Sequence, residues 1–111
     1  MSALPLLESA ASGMAAQRFA LDIAARNVAA AEAAGPRGTF SREIPVFRVE
    51  GADDDARVAL SGTRVAPGAH GDVVGEMLAV MNAARAYDAD AAMFETGKRL
   101  ALQTIDLERL P

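Results

Sequence analysis

GDVVGEMLAVMNAARAYDADAAMFETGKRLALQTIDL, residues Gly71 to Leu107, is the longest stretch of this 111-residue chain with a single repeating pattern. It contains no proline, and its apolar or small residues recur at steps of mostly three and four. This spacing is typical of one side of an α-helix, because 3.6 residues complete a turn. The residues of this row are Val74, Met77, Met81, Ala84, Tyr87, Ala91, Phe94, Ala101 and Ile105. The pattern therefore predicts one long helix with an apolar stripe.

A second row of residues widens this stripe towards the C-terminus, and its members are Met93, Gly97, Leu100 and Leu107. At about 1.5 Å per residue, the helix would be roughly 50 Å long. A compact globule of this chain length cannot bury so long a stripe, so the helix needs a partner helix, a neighbouring subunit, or both. We expect one side of the stripe to pack within the subunit. We expect the flanking row of Met93, Leu100 and Leu107 to contact a neighbour.

A first long helix is predicted over residues 3–34, where the same rhythm recurs. Its apolar row consists of Leu4, Leu7, Ala11, Met14, Leu21, Ala25 and Val28. Ser2 is suited to cap the start, and Pro5 is tolerated in a first turn. Gly35-Pro36 then ends the helix.

The middle of the chain has a different composition, rich in residues that favour β-strands. Phe40 to Val49 predicts a strand, in which Pro45 suits an edge or a bulge better than a central position. Gly51 to Asp55 predicts a polar turn, and residues 57–60 with 63–65 can pair back as a second strand. The expected hairpin is short and lies between the two helices.

Together these elements predict a mainly α protein. Its two long helices lie antiparallel in a coiled-coil-like pair, separated by a short β hairpin or extended excursion. We expect a single domain over residues 1–111, with the N-terminal helix in 1–35, the β excursion and loops in 36–71, and the C-terminal helix in 72–111. Much of the 51% apolar content is alanine, which favours close helix contact over a core of large side chains.

Charge and composition exclude several classes of protein. A net charge of −4 argues against nucleic acid as a partner, and the chain has no cysteine for a disulfide or thiolate site. No window reaches the roughly 18 consecutive apolar residues of a membrane span. No Lys or Arg precedes Arg18, and Glu8 interrupts the first apolar stretch, so we expect no cleavable signal peptide.

Two clusters of residues in the chain are candidates for catalysis or metal binding. His70 with Asp72 and Glu76 lacks a standard metal spacing, and Asp53-Asp54-Asp55 lacks the spacing of a calcium loop. A solvated loop explains each of them better. We therefore expect no enzyme, no catalytic residue, no metal and no cofactor.

Several motifs resemble those of a known family, the flagellar basal-body rod proteins, and its proximal-rod members in particular. In the C-terminal helix the motifs are Asp72-Val73-Val74-Gly75-Glu76-Met77 and Ala83 to Asp90, and Lys98 and Thr104 also fall in register. The N-terminal motifs are Gly13-Met14-x-Ala16-Gln17, Leu21-Asp22 and Asn27-Val28-Ala29, and Val46-Phe47-x-Val49 follows in the first strand. Ala30 and Asp90 stand where the family has asparagine, and the middle of the chain is shorter than is typical.

The resemblance implies a structural subunit of the bacterial flagellum. Such subunits are exported through the flagellar type III apparatus without a cleaved signal peptide, and they polymerise into the periplasmic rod through their terminal helices. The implied partners are other copies of the chain, other rod proteins and the type III export gate, with no nucleic acid and no membrane span.

Two sets of candidate functional residues follow. The candidates for subunit contact are Met14, Leu21, Asn27, Glu76, Met77, Met81, Arg85, Tyr87, Met93, Phe94, Leu100 and Leu107. The candidates for an export signal are Leu4, Leu6, Leu7, Phe40 and Ile44, although helix packing explains the three leucines equally well and a strand face explains Phe40 and Ile44 better.

Three of the contact candidates have more than one interpretation. Asn27 is either a polar residue on a solvated turn, or an amide that satisfies backbone groups or a neighbouring subunit near the end of the first helix. Arg85, like Tyr87, is either an ordinary surface or edge residue or has a role between subunits, and Arg85 can pair with a carboxylate such as Glu76 or Asp88 of its own or another chain.

A different class of function also fits the pattern. The chain can be a soluble helical hairpin that binds one partner, as an adaptor or an export chaperone does. Because the specific motifs lie in both terminal helices, as expected of a polymer, the rod interpretation is the stronger of the two.

Overall fold

A computed structural model describes residues 4–109, without the side chain of Asp54. Its elements follow in the order α1 (Leu4–Ala34), β1 (Thr39–Glu50), a short 3-10 helix (Asp53–Asp55), β2 (Arg57–His70) and α2 (Val73–Glu108). The predicted fold class is confirmed: two long helices are joined by a two-stranded antiparallel hairpin. The predicted cap at Ser2 lies outside the described residues.

Helix α1 ends where the sequence predicts. Gly35 has a φ of +75°, a left-handed conformation that side chains with a Cβ rarely adopt. In this conformation its N–H donates to the carbonyl oxygen of Ala31 at 3.1 Å. At the other end, Pro5 lies in the first turn, where its missing N–H costs nothing.

The hairpin is a ribbon longer than expected. Strand β2 continues through Ser61-Gly62 and Pro67-Gly68, so it pairs with β1 from Glu50↔Arg57 to Thr39↔His70. Two register irregularities, one between Phe40 and Arg42 and one between Val46 and Phe47, accommodate these residues. Pro45 is tolerated, as expected, because both strands of a two-stranded ribbon are edge strands.

Helix α1 holds the ribbon along its length. Near the base of the ribbon, the Asn27 side chain bonds the backbone of Glu43. Near its tip, the Val58 N–H donates to Ser12 Oγ at 3.1 Å. The two attachment points are about 22 Å apart along α1 at 1.5 Å per residue. These contacts stabilise an element that would be marginal alone, because an isolated two-stranded hairpin is at best barely stable in water.

The other side of α1 packs against α2 along a seam of coiled-coil type. On α2 one row among the buried and half-buried residues follows alternating steps of four and three, which is the 3.5-residue repeat of a coiled coil. Its members are Glu76, Val80, Ala83, Tyr87, Asp90, Phe94, Gly97 and Ala101. The buried residues of α1 are mostly small, and they are Ala10, Gly13, Ala16, Ile23, Ala24, Asn27 and Ala31.

Small residues let the two helices approach closely, as the alanine content predicts. A Cβ built on Gly13 would lie 2.6 Å from Asp90 Oδ2, and one built on Gly97 would lie 3.2 Å from Leu7 Cδ2. At the turn into α2, a Cβ on Gly71 would collide with the carbonyl oxygens of Gly35 and Ala31. The result is an elongated molecule of 71 × 23 × 13 Å. Its radius of gyration is 18.5 Å, against about 13 Å for a compact domain of this length.

The predicted position of the apolar stripe on α2 was partly wrong. Tyr87 and Phe94 lie in the seam, but Val74, Met77, Met81 and Ile105 are 44–70% exposed. On α1 the predicted row is also displaced, because Leu4, Ala11 and Ala25 are exposed while the neighbouring small residues are buried. Apart from Tyr87 and Phe94, the large apolar residues of this stripe therefore flank the seam or face away from it. No helix in the described part of the chain is long and apolar enough to cross a membrane.

Candidate subunit interface

The start of α2 is fixed by its own cap. The Asp72 side chain accepts a hydrogen bond from the Gly75 N–H at 3.1 Å, which satisfies one of the free donors of the first turn. Glu76, one turn into the helix, adds a negative charge where the helix dipole favours one. The direction of α2 is thus set at residues 72–76, and this orients the side chains that follow.

The first two turns of α2 present an apolar surface away from α1. Its residues are Val74, Met77, Leu78 and Met81, which are 50–70% exposed. At 100° per residue they lie on the opposite side of the helix from the seam residues Glu76, Val80 and Ala83. We call this surface the outward patch. Residues 73–81 contain one charged side chain, Glu76, and it is buried, so the outward patch exposes no charge.

The last turns of α2 expose large apolar side chains on several sides of the helix. Gly97 lies against Leu6 and Leu7, close to the described start of α1 at Leu4, yet α2 continues to Glu108. It therefore extends about nine residues, or roughly 13 Å, beyond that start. We call residues 100–108 the overhang. Its large apolar side chains are 44–68% exposed, and they are Leu100, Leu102, Ile105 and Leu107.

A buried ion pair ties the ribbon to α2. Arg42 of β1 donates through Nε to Glu76 Oε1 at 2.6 Å, and its Nη2 contacts the same oxygen. The Glu76 side chain is 5% exposed, whereas the Arg42 side chain is 39% exposed. The Arg42 guanidinium also lies over the ring of Phe40, 5.7 Å from its centroid. A solvated loop and a pair with Arg85 were the two environments considered for Glu76, and it lies in neither, because the long Arg42 side chain reaches it from β1.

Asn27 holds the edge of β1 with a pair of hydrogen bonds. Its Nδ2 donates to the Glu43 carbonyl oxygen and its Oδ1 accepts from the Glu43 N–H, both at 2.9 Å. Asn27 thereby satisfies backbone groups, as one of its two interpretations predicted. These groups belong to β1, however, and not to the end of α1. The Glu43 side chain approaches Arg26, with Oε2 3.5 Å from Nη1 but outside hydrogen-bond geometry.

Two open grooves border these contacts. The larger, about 430 Å³, lies where α1, β1 and α2 meet. The groups that line it include Ile23, Asn27, Arg42, Pro45 and Glu76. The smaller, about 330 Å³, lies beside the seam between Met14, Arg18, Tyr87 and Phe94.

The twelve candidates for subunit contact fall into three groups. The exposed ones are Met77, Met81, Arg85, Met93, Leu100 and Leu107. The half-buried ones, in or beside the seam, are Met14, Leu21, Tyr87 and Phe94. Asn27 and Glu76 are buried, and their side chains bond within the subunit. The exposed group is therefore the part of the set that is accessible to a neighbour. The set of contact candidates did not include Val74, Leu78, Leu102 and Ile105, which are exposed on the same surfaces.

The candidates for an export signal are distributed over two elements. Leu4 is 58% exposed, and Leu6 and Leu7 are half-buried against Gly97. Phe40 and Ile44 are half-buried in β1. All five residues are thus part of regular structure in the folded subunit.

The residues considered for metal binding do not converge. His70 pairs with Thr39 at the base of the ribbon, Asp72 caps α2, and Glu76 binds Arg42. Within residues 4–109, leaving out the side chain of Asp54, no three His, Cys, Asp or Glu side chains are placed to hold a metal ion.

Comparison with known proteins supplies the family. No family model matches the chain. The flagellar basal-body rod protein FlgC of Salmonella typhimurium is 33% identical to it, over 96% of this chain and 98% of the relative. The chain belongs to the flagellar basal-body rod protein family. FlgC of Salmonella typhi matches with the same identity and coverage.

The alignment also shows how this rod-family chain differs from its relatives. It runs over 135 positions and the chain has 111 residues, so both FlgC proteins carry segments without a counterpart here. Since nearly all of this chain is covered, the shared part includes both helices and the ribbon.

Proposed function

We propose that this protein is a structural subunit of the flagellar basal-body rod and fills the position that FlgC fills. The similarity to FlgC over almost the whole chain supports this proposal. The structural observation that carries it is the apolar, uncharged outward patch of α2, which the subunit leaves exposed after its own seam is complete. Contiguous apolar surface of this kind is typical of a protein–protein contact.

Assembly through the helices follows from the shape of the subunit. A 71 Å long molecule with exposed apolar side chains near each end of α2 needs neighbours along its length. Contacts between unlike surfaces repeat from subunit to subunit, and they generate a ring or a helical assembly. Met77 and Met81 suit contacts that differ slightly between neighbours, because methionine is unbranched and adapts to irregular gaps. The partners are other copies of the chain and other rod proteins.

Export through the flagellar type III apparatus into the periplasm completes the proposal. The chain carries no cysteine that would form disulfides in an oxidising compartment. The α1 side of the seam is lined mainly by alanine and glycine, which limits the apolar area that unfolding for export has to expose. Leu4, Leu6, Leu7, Phe40 and Ile44 are the candidate residues for recognition by the export gate.

A gene deletion in the protein's own host tests the function. We expect isolated basal bodies viewed by electron microscopy to lack the structure beyond the membrane ring, and the wild-type chain to restore it. A variant with Met77→Ser, Leu78→Ser and Met81→Ser should fail to restore it, since polar side chains remove the apolar contact. The matched control changes Asn82→Ser and Asp88→Ser, two exposed polar residues of the same helix, and should complement.

Complete basal bodies in the deletion strain would contradict the proposal. A stable one-to-one complex between the purified chain and one flagellar protein, with normal basal bodies, would instead establish the adaptor or chaperone function.

A further inference from the structure

The chain contains five methionines and no cysteine, so thioethers are its only sulfur groups. The structure describes four of these methionines, and their environments differ. Met77 and Met81 lie in the outward patch and are 53% and 50% exposed. Met93 is exposed more than three turns further along α2 and on a different side of it, whereas Met14 is half-buried beside the seam. Dissolved reagents therefore reach the four sulfur atoms to different degrees.

Met77 and Met81 form a pair on one side of α2. They are four residues apart, so their side chains lie one above the other along the helix. The other two residues of the outward patch, Val74 and Leu78, are hydrocarbons, and the patch exposes no charge. Leucine at positions 77 and 81 would provide a similar apolar surface without a reactive atom. The two thioether sulfurs are thus the oxidisable groups of the outward patch.

Oxidation of these two thioethers changes the surface and leaves the fold intact. A methionine sulfoxide is polar, so each reaction replaces an apolar group of the outward patch by a hydrogen-bond acceptor. Both side chains face away from the seam, and the start of α2 is held from its other side by the Asp72 cap and the Arg42–Glu76 ion pair. None of these stabilising contacts involves a methionine. The chemical state of the two sulfurs therefore determines whether the patch is apolar.

We propose that Met77 and Met81 are a reversible oxidation site, at which hydrogen peroxide converts the outward patch from apolar to polar. The sulfur of each thioether attacks one peroxide oxygen, so that an S–O bond forms, the O–O bond breaks and water leaves. The sulfur loses two electrons and the peroxide gains them. Methionine sulfoxide reductases reverse the change: two thiols are oxidised to a disulfide, and the sulfoxide oxygen leaves as water. Both sulfoxides face solvent on a folded helix, where a reductase can reach them.

Peptide mapping by mass spectrometry tests the site on the purified full chain. During brief exposure to hydrogen peroxide, Met77 and Met81 should gain sulfoxide at least about threefold faster than Met14, because oxidation follows exposure of the sulfur. The same treatment in concentrated urea is the control. Since unfolding exposes every sulfur, the rates at the three positions should then become equal.

Retention on a phenyl column, which depends on exposed apolar surface, measures the change in the outward patch. The peroxide-treated chain should elute earlier than the untreated chain, while its midpoint of unfolding in urea stays the same. A chain with Met77→Leu and Met81→Leu, compared with its own untreated sample, should lose most of this shift. Met93→Leu is the matched control and should keep most of it. The two methionine sulfoxide reductases, one for each sulfoxide epimer, should restore the original retention in the presence of dithiothreitol.

Several results would overturn the inference. Equal rates of oxidation at Met14, Met77 and Met81 in the folded chain would show that the exposed pair is not selective. An unchanged retention, or a shift that survives in full when positions 77 and 81 are leucine, would show that oxidation does not alter the outward patch. A shift that the reductases cannot reverse would show that the site is not reversible. None of these measurements requires assembly, so they fail independently of the deletion phenotype that tests the proposed function.

Discussion

Arg42 of β1 and Glu76 of α2, 34 positions apart in sequence, form an ion pair in which one partner is buried and the other can still reach water. The Glu76 side chain is 5% exposed and that of Arg42 is 39% exposed. The loss of one partner therefore has unequal consequences. An unpaired Arg42 regains water, whereas an unpaired Glu76 stays in a low-dielectric site.

Arg42→Ala should destabilise the protein more than Glu76→Gln. We expect Arg42→Ala to lower the free energy of unfolding by about 3 kcal/mol, because it leaves a buried carboxylate without its partner. Glu76→Gln should cost about 1 kcal/mol, because the amide oxygen still accepts from Arg42. Urea unfolding followed by circular dichroism measures both values. Arg48→Ala is the control, since its exposed pair with Glu50 contributes less than about 1 kcal/mol. Equal decreases in the free energy of unfolding for Arg42→Ala and Glu76→Gln would contradict the unequal burial of the two side chains.

Asn27→Ala should loosen β1 at a single position. The substitution leaves the Glu43 N–H and carbonyl without their partners, at a cost of about 2 kcal/mol. Hydrogen exchange at the Glu43 amide should accelerate strongly, while amides in the middle of α2 should keep their protection. Asn82→Ala, a substitution at an exposed position on α2, should change neither the exchange at Glu43 nor the protection of the α2 amides. Unchanged exchange at Glu43 in Asn27→Ala would show that the hydrogen bond is not needed to hold the strand.

The fold class was predictable from the sequence because it depends on strong, local signals. Gly35-Pro36 ends α1, and the run without proline from Gly71 onward produces α2. The ribbon was predictable from its β-forming residues and from the polar turn at Gly51 to Asp55. Its length was not, because Gly62 and Pro67 are ordinarily turn residues and are tolerated here only at the edges of a two-stranded ribbon.

The positions of the seam and of the ion pair were not predictable in the same way. Both helices carry apolar residues on several sides, so the row of large residues through Met77 and Met81 competed with the row of small residues through Ala83 and Gly97. Close packing selected the small residues, and the large ones became the exposed surface. Glu76 and Arg42 meet only because the packing of β1 on α1 brings the long Arg42 side chain within reach of α2, which no local pattern specifies.

The effect of Gly13→Ala on stability should depend on the residue at position 90. In the wild-type background the new methyl group would lie 2.6 Å from the Asp90 carboxylate. We therefore expect the free energy of unfolding to fall by about 1 kcal/mol. In an Asp90→Ala background the carboxylate is gone. The better helix propensity of alanine at position 13 should then raise the free energy of unfolding by about 0.5–1 kcal/mol. Thermal unfolding of the four chains forms a double-mutant cycle. Additive effects would show that Gly13 and Asp90 do not contact each other.

The isolated subunit should be less helical when dilute than when assembled. The exposed apolar side chains of α2 need neighbours, and helix ends without tertiary contacts fray. Far-UV circular dichroism at micromolar concentration should report less helix than the 31 residues of α1 and the 36 of α2. The helical signal should rise as the concentration increases. A dilute monomer with full helicity would contradict this prediction.

The small residues of the seam also determine how the subunit responds to a pulling force. Among the described residues, Ile23 is the only large side chain buried below 2% exposure, so only one fully buried bulky group has to be withdrawn before the helices separate. Since alanine and glycine bury little area each, the work of separation is spread evenly along the pair. Pulling on the end of α2 in an optical trap should therefore open the seam turn by turn at low, nearly constant force. A chain that unzips in this way can be drawn end first into a narrow channel.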